Sequence, residues 1–123
     1  MNVFLWVLQG ILAAMFLMAG VMKTTQSKEK LLEKLPWVED YSTGTVRFIG
    51  TAEFLGAIGL ILPAALDIAP ILTPLAATGL AITMLLAMNA HRRRHEPGAI
   101  AFPGVLFVVA AFVAVARFGP WSF

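Results

Sequence analysis

Residues 47–63 read "RFIGTAEFLGAIGLILP". The stretch is apolar or small almost throughout, and it nears the length of about 20 helical residues that crosses roughly 30 Å of hydrocarbon. Yet Arg47 opens it, and Glu53 lies inside it, about 9 Å of helical rise further on. A carboxylate facing lipid would be costly. The rest of the chain must therefore supply protein to cover Glu53 and a group to meet it.

The composition agrees with a membrane setting. Of 123 residues, 59% are hydrophobic and 13% charged, and the mean hydropathy is +0.84. A soluble domain carries about 25% charged residues, so this chain lacks the charge to coat a water-facing surface. The length suggests one domain over 1–123. With no cysteine, disulfides, thiolate metal sites and a cysteine nucleophile are excluded. Basic residues flank apolar runs and form no stripe, so nucleic acid is not an expected partner.

Four apolar runs fall at about 3–22, 46–62, 68–90 and 99–116. In lipid the backbone must satisfy its own hydrogen bonds, which helices do and open strands do not. The pattern predicts an all-α membrane protein, an antiparallel bundle of four transmembrane helices. The first run lacks a basic leader and is too long for the core of a signal peptide, so it is read as a span. Pro63 is expected to end the second span, and Pro70 and Pro74 to sit in the first turns of the third. Pro103 is expected to kink the fourth. Between the first two spans, "SKEKLLEKL" places Leu31, Leu32 and Leu35 on one side, with Ser27 as N-cap and Pro36 as stop. This predicts a short amphipathic segment at the membrane surface, with a solvated loop as the other reading.

Eight of the nine lysines and arginines share one side of such a bundle: Lys23, Lys28, Lys30, Lys34, Arg47 and Arg92 to Arg94. Arg117 alone falls on the other. The bias predicts cytoplasmic basic loops and both termini outside. Trp6 and Trp121 then belong at the outer interface, Trp37 and Tyr41 at the inner one. Lys23, Arg47, Glu53, Asn89 and His91 gather toward the cytoplasmic end. At about 100° per residue, Gly50, Gly56, Ala57 and Leu60 lie within about 60° of Glu53, so the carboxylate shares a small-residue face suited to close helix packing. Lys23 is its preferred partner. Glu53 either pins helices together or serves a ligand or proton, and both readings are open. Gln9 is expected to make an interhelical hydrogen bond. Stripes of Met15, Met18 and Met22 and of Met84, Met88 and His91 read as adaptable packing before a soft-ion site, so no metal ligand is assigned. The "HRRRH" run sets topology and attracts anionic lipid. No nucleophile, paired-carboxylate or phosphate-loop motif is present, and no independent catalytic activity is expected.

"AGVMK" closing the first span, "RFIGTAEFLGAIGLILP" in the second and "AMNAHRRRHEPG" after the third resemble the DoxX-like family of small bacterial four-helix membrane proteins. The most specific parts are Gly20-x-x-Lys23, Gly50-x-x-Glu53 and Gly56-x-x-Gly59-Leu60. The resemblance implies a multi-pass protein of the bacterial inner membrane. It points to an accessory subunit of a membrane redox or envelope-stress system, with quinone or lipid as the ligand. A protein partner or a second copy would accompany it in the bilayer. Animal relatives imply an alternative, an assembly factor for other membrane proteins. A small proton-coupled transporter with Glu53 as carrier is a third reading. The family's glycines and glutamate carry over to Gly50, Glu53, Gly56 and Gly59, with Lys23 and Arg47 beside them. Asn89 and His91 complete the candidate ligand set, and Gly20 and Ala57 the candidate packing set.

Overall fold

The computed structural model describes residues 1–35, 39 and 41–122. Its helices are α1 (Asn2–Thr25), α2 (Lys28–Lys34), α3 (Thr43–Ala65), α4 (Leu72–Arg93) and α5 (Ala101–Phe118), with a 3-10 turn at Pro97–Ala99 before α5. No strand occurs among the described residues. All helices but α2 are long and apolar enough to cross a membrane. This is an all-α, multi-pass membrane bundle. α1 packs on α3, α3 on α4 and α4 on α5, while α5 touches α1 more lightly and closes the ring.

Each span buries one stripe. On α1 it runs Leu5, Gln9, Leu12, Phe16, Gly20 and Lys23, and on α3 Val46, Gly50, Glu53, Ala57 and Leu60. Steps of three and four keep such residues on one helix face. The polar members therefore share the face that packs. Large apolar side chains such as Leu55, Ile82 and Val105 point outward, as a lipid solvent allows.

Helix ends depart from the expected ones for identifiable reasons. α3 does not stop at Pro63 but runs on to Ala65. A proline leaves the carbonyl four residues back without its amide partner. Here that carbonyl, on Gly59, accepts from Thr73 Oγ1 at 2.9 Å. The end comes instead at Asp67, in the left-handed region at φ 54°, where its amide bonds Ala64 O and the next amide, of Ile68, bonds Pro63 O. α4 ends the same way. His95 sits at φ 57°, its amide bonds Arg92 O, and the Glu96 amide bonds His91 O. This is the glycine-type helix stop built without glycine. Ala69, at φ 47°, holds the tight α3–α4 turn at a strained backbone position. α4 begins at Leu72 and α5 at Ala101, later than the apolar runs. Pro70 thus lies outside α4, and Pro74 and Pro103 both fall in first turns, where no intrahelical amide bond is lost. The expected kink at Pro103 has no cause.

The amphipathic segment is helical. Ser27 Oγ accepts from the Lys30 amide at 3.3 Å. Leu31 is fully buried against Val46, with Met22, Leu32, Leu35 and Tyr41 around it. α2 is thereby clasped to the junction of α1 and α3. Pro36 and Trp37 lie outside the described residues.

Glycines set two seams. A Cβ on Gly20 would stand 2.7 Å from Gly50 O and Phe54 N, and one on Gly50 would stand 2.6 Å from Lys23 Cβ. These serve α1 against α3. Gly56 and Gly59 face α4 instead, where a Cβ would meet Leu80 Cδ2 and Ala76 Cβ, each at 2.8 Å. Gly20→Ala should therefore cost the most stability, about 1–3 kcal/mol for overpacking, because backbone blocks it. Gly56→Ala should cost less, since the Leu80 side chain can turn away. Gly10→Ala, with nothing within 4 Å, should be neutral. Thermal unfolding in mild detergent ranks the three, and equal values at Gly20 and Gly10 would contradict the close α1–α3 approach.

Candidate functional site

Lys23 follows Gly20 by one turn on α1, and Glu53 follows Gly50 by one turn on α3. Because the two glycines let the backbones meet, these side chains converge. Lys23 Nζ lies 2.5 Å from Glu53 Oε1. Glu53 is 1% exposed and Lys23 8%. In a low-dielectric interior such a pair is strongly coupled, and either member alone would be costly. Arg47 does not reach Glu53. Its Nη1 donates to Lys23 O at 2.7 Å, satisfying a carbonyl of the last turn of α1 and placing a cation at that helix's negative end.

Beside this pair lies a cavity of about 470 Å³ between α3 and α4. Its polar end is formed by Lys23, Asn89, His91 and Arg93, with Tyr41 and Thr45 at the rim. Phe48, Ile49, Met84, Leu86 and Ala87 supply apolar wall. Of the candidate ligand residues, Lys23, Asn89 and His91 line the cavity. Glu53 and Arg47 do not, and Glu53 stands behind Lys23. Arg93, Tyr41 and Thr45 were not singled out as site residues by sequence. Each sits at a helix rim where a polar residue is unremarkable, and only the α3–α4 pairing brings them together. Of the candidate packing residues, Ala57 is buried in the core and the glycines occupy the two seams already described.

The end of α4 is fixed by its left-handed stop. The turn at His95 brings Glu96 back over the helix, so that Glu96 Oε1 lies 3.0 Å from His91 Nδ1 and Arg94 Nε lies 3.5 Å from Glu96 Oε2. The His91 hydrogen bond, with Arg94 adding to it, holds the Glu96 carboxyl below the usual range. Arg92 Nη2 donates to Asn89 Oδ1 at 3.3 Å, which orients the amide at the cavity.

A second polar cluster lies at the opposite end. Arg117 is 2% exposed. Its Nε donates to Gln9 Oε1 at 2.8 Å, and its Nη1 donates to Asn2 Oδ1 at 2.8 Å and Trp121 O at 2.9 Å. The guanidinium carbon sits 5.7 Å from the Trp6 ring centroid, within cation–π range. Gln9 Nε2 donates to Leu60 O at 2.7 Å, the expected interhelical hydrogen bond. Sequence gave Arg117 no role beyond topology. The lone glutamine in the N-terminal half of the first span was its visible signal.

The arrangement can hold a molecule with a polar head and an apolar body. Among the described residues no cluster of three or more His, Asp or Glu could bind a metal. Met18 is 72% exposed on the outside of the bundle, which takes it out of any shared thioether site.

Lys23→Met leaves Glu53 buried without its cation and should cost about 3–5 kcal/mol. Lys23→Met with Glu53→Leu should recover most of that loss in a detergent unfolding cycle, and additive losses would exclude the pair. At Glu96, a lowered folded-state pKa makes the contact stabilising above the ordinary glutamate value of about 4.3. That contribution is lost as pH falls through the lowered value. The protection factors of the His95 and Glu96 amides, taken against the intrinsic exchange rate at each pH, should accordingly fall on acidification, and Glu96→Gln should show the low protection already at neutral pH.

No curated protein and no solved structure matched the chain. The model of the DoxX-like family matches residues 7–113, a span that holds Lys23, Glu53, Arg47, Gln9 and most of the cavity wall, and the chain therefore belongs to the DoxX-like family.

Proposed function

We propose that this chain is an accessory protein of the bacterial inner membrane that holds an amphipathic ligand, a quinone or a lipid, at the basic-loop end of its bundle. The observation that carries this reading is the 470 Å³ cavity, with an apolar wall and a polar end of Lys23, Asn89, His91 and Arg93. Ligand sites are usually concave, mostly apolar and equipped with a few converging polar groups. Glu53 supports the site from behind by fixing the Lys23 side chain. Asn89 and His91 are held by Arg92 and Glu96, so the head end is preorganised and a ligand need not order it. On this reading the protein acts beside a catalytic partner in a membrane redox or envelope-stress system, presenting or storing the ligand.

The orientation proposed puts the loop of α2 and the turn after α4 in the cytoplasm, where the basic residues concentrate. Single cysteines at positions 27 and 122 test it. A membrane-impermeant thiol reagent applied to intact cells should label Ser122→Cys and spare Ser27→Cys, and the reverse would invert the topology. For the ligand, native mass spectrometry from mild detergent should find quinone or lipid bound to the wild type and depleted in Ala87→Leu, which fills the cavity. Retention that is indifferent to Ala87→Leu would remove the cavity from the reading.

A further inference from the structure

We infer that the cavity is the headgroup end of a longer site for one anionic phospholipid, whose acyl chain lies along the seam between α3 and α4. The inference rests on the cavity reading above and specifies its occupant.

The cavity does not end at its apolar wall. It shares Ala52 and Thr83 with a second groove of about 510 Å³, which continues past Gly59 and Gly79 to Pro63 and Leu72. From Phe48 to Pro63 the rise along α3 is about 23 Å, longer than the half of a ~30 Å core that one leaflet's chains occupy. The seam is hollow for a local reason. At Gly56 and Gly59 the space a side chain would take is filled by Leu80 and Ala76, but at Gly79 an added Cβ would meet nothing within 4 Å. Thr83, the polar member shared by both parts, donates its hydroxyl to Gly79 O at 2.9 Å and so asks nothing of an occupant. The lips face lipid. Phe48 is 74% exposed, and Leu55, Leu75 and Leu86 are exposed too, so an occupant enters sideways from the bilayer.

Charge selects the head. Lys23 and Arg93 line the polar end, with the Asn89 amide and the His91 ring, and Arg92 and Arg94 flank it in sequence. Among the described residues no carboxylate lines the cavity. Glu53 pairs with Lys23, and Glu96 with His91 and Arg94, so the charge offered to an occupant's head is that of Arg93. A phosphodiester fits this surround, because an anionic oxygen accepts charge-assisted hydrogen bonds from such groups, and basic pockets between spanning helices bind anionic headgroups. A zwitterionic lipid would bring an ammonium beside Arg93, and the neutral head of a quinone would not meet that charge.

The test uses the full chain reconstituted in bilayers of equal phosphatidylglycerol and phosphatidylethanolamine, released into mild detergent and read by native mass spectrometry. Wild type should retain phosphatidylglycerol over phosphatidylethanolamine by about fivefold, the factor expected from one matched cation. Arg93→Gln, an exposed position, should bring the ratio toward unity while total lipid persists. Gly79→Leu, whose side chain enters the hollow, should reduce retention of both. Equal retention by wild type would overturn the anionic assignment and leave the cavity reading standing. Unchanged phosphatidylglycerol in Gly79→Leu would remove the acyl chain from the seam. Thermal protection by inorganic phosphate alone, matching that by phosphatidylglycerol and untouched by Gly79→Leu, would make this a free-phosphate site and overturn the lipid. If wild type keeps neither lipid here nor any quinone when purified from cells, both readings fall together.

Discussion

Lys23 and Glu53 meet at 2.5 Å in the interior of the bundle, where lipid would leave either charge uncompensated, and that meeting requires α1 and α3 to approach as closely as two backbones can. Gly20 and Gly50 permit the approach, and each occupies the space that a side chain on the other would need. The pair and the glycines are thus one device. The glycines bring the helices together, and the ion pair penalises any rotation or sliding that would part them. Arg47 belongs to the same device, since its bond to Lys23 O fixes the end of the helix from which Lys23 projects. The two remaining spans are arranged around this α1–α3 unit. α4 closes against the far side of α3 through Gly56 and Gly59, and α5 completes the ring.

Polar contacts at the two ends of the bundle divide the work. At one end Lys23, Glu53 and Arg47 join α1 to α3. At the other, Arg117 reaches Gln9, and Gln9 reaches Leu60 O, so one guanidinium links α5, α1 and α3. Between them the core is apolar, from Leu12 and Phe16 to Ala110 and Val113. Hydrophobic burial does not drive helices together in lipid as it does in water, because the tails are as apolar as the side chains. Close packing and hydrogen bonds must carry association, and here they are concentrated at both rims. The light contact between α1 and α5 makes the Arg117–Gln9 bond the more consequential there.

Sequence made the spans, their number and the inward face of Glu53 legible, because helical periodicity and apolar length are set by the bilayer itself. It also pointed to Lys23 as the partner, since Lys23 ends the first span on the same side while Arg47 lies about 120° around the helix from Glu53. Helix ends were less legible. Pro63 reads as a stop, but the Thr73 hydroxyl takes over the carbonyl that proline leaves open. His95 and Asp67 end helices in a conformation that usually announces itself with glycine. Pro103 reads as a kink only until α5 is seen to begin at Ala101. The cavity was half legible. Lys23, Asn89 and His91 could be gathered on one side from topology, but the contributions of Tyr41, Thr45 and Arg93 depend on which helices are neighbours. Arg117 was hidden for a different reason. A basic residue at the end of an apolar run normally lies in the headgroup region, and nothing local says that it folds inward.

The unequal lengths of α1 and α5 bear on the membrane itself. α1 has 24 residues and α5 has 18, so they rise about 36 Å and 27 Å. Set upright, two staves this different do not match one slab of uniform thickness. On the α5 side the apolar wall falls short of the ~30 Å average core, so the lipid there must thin or the bundle must lean, at a fraction of a kcal/mol per Å. Height is thus a demand the bundle makes on its bilayer that is separate from the chemistry of its faces.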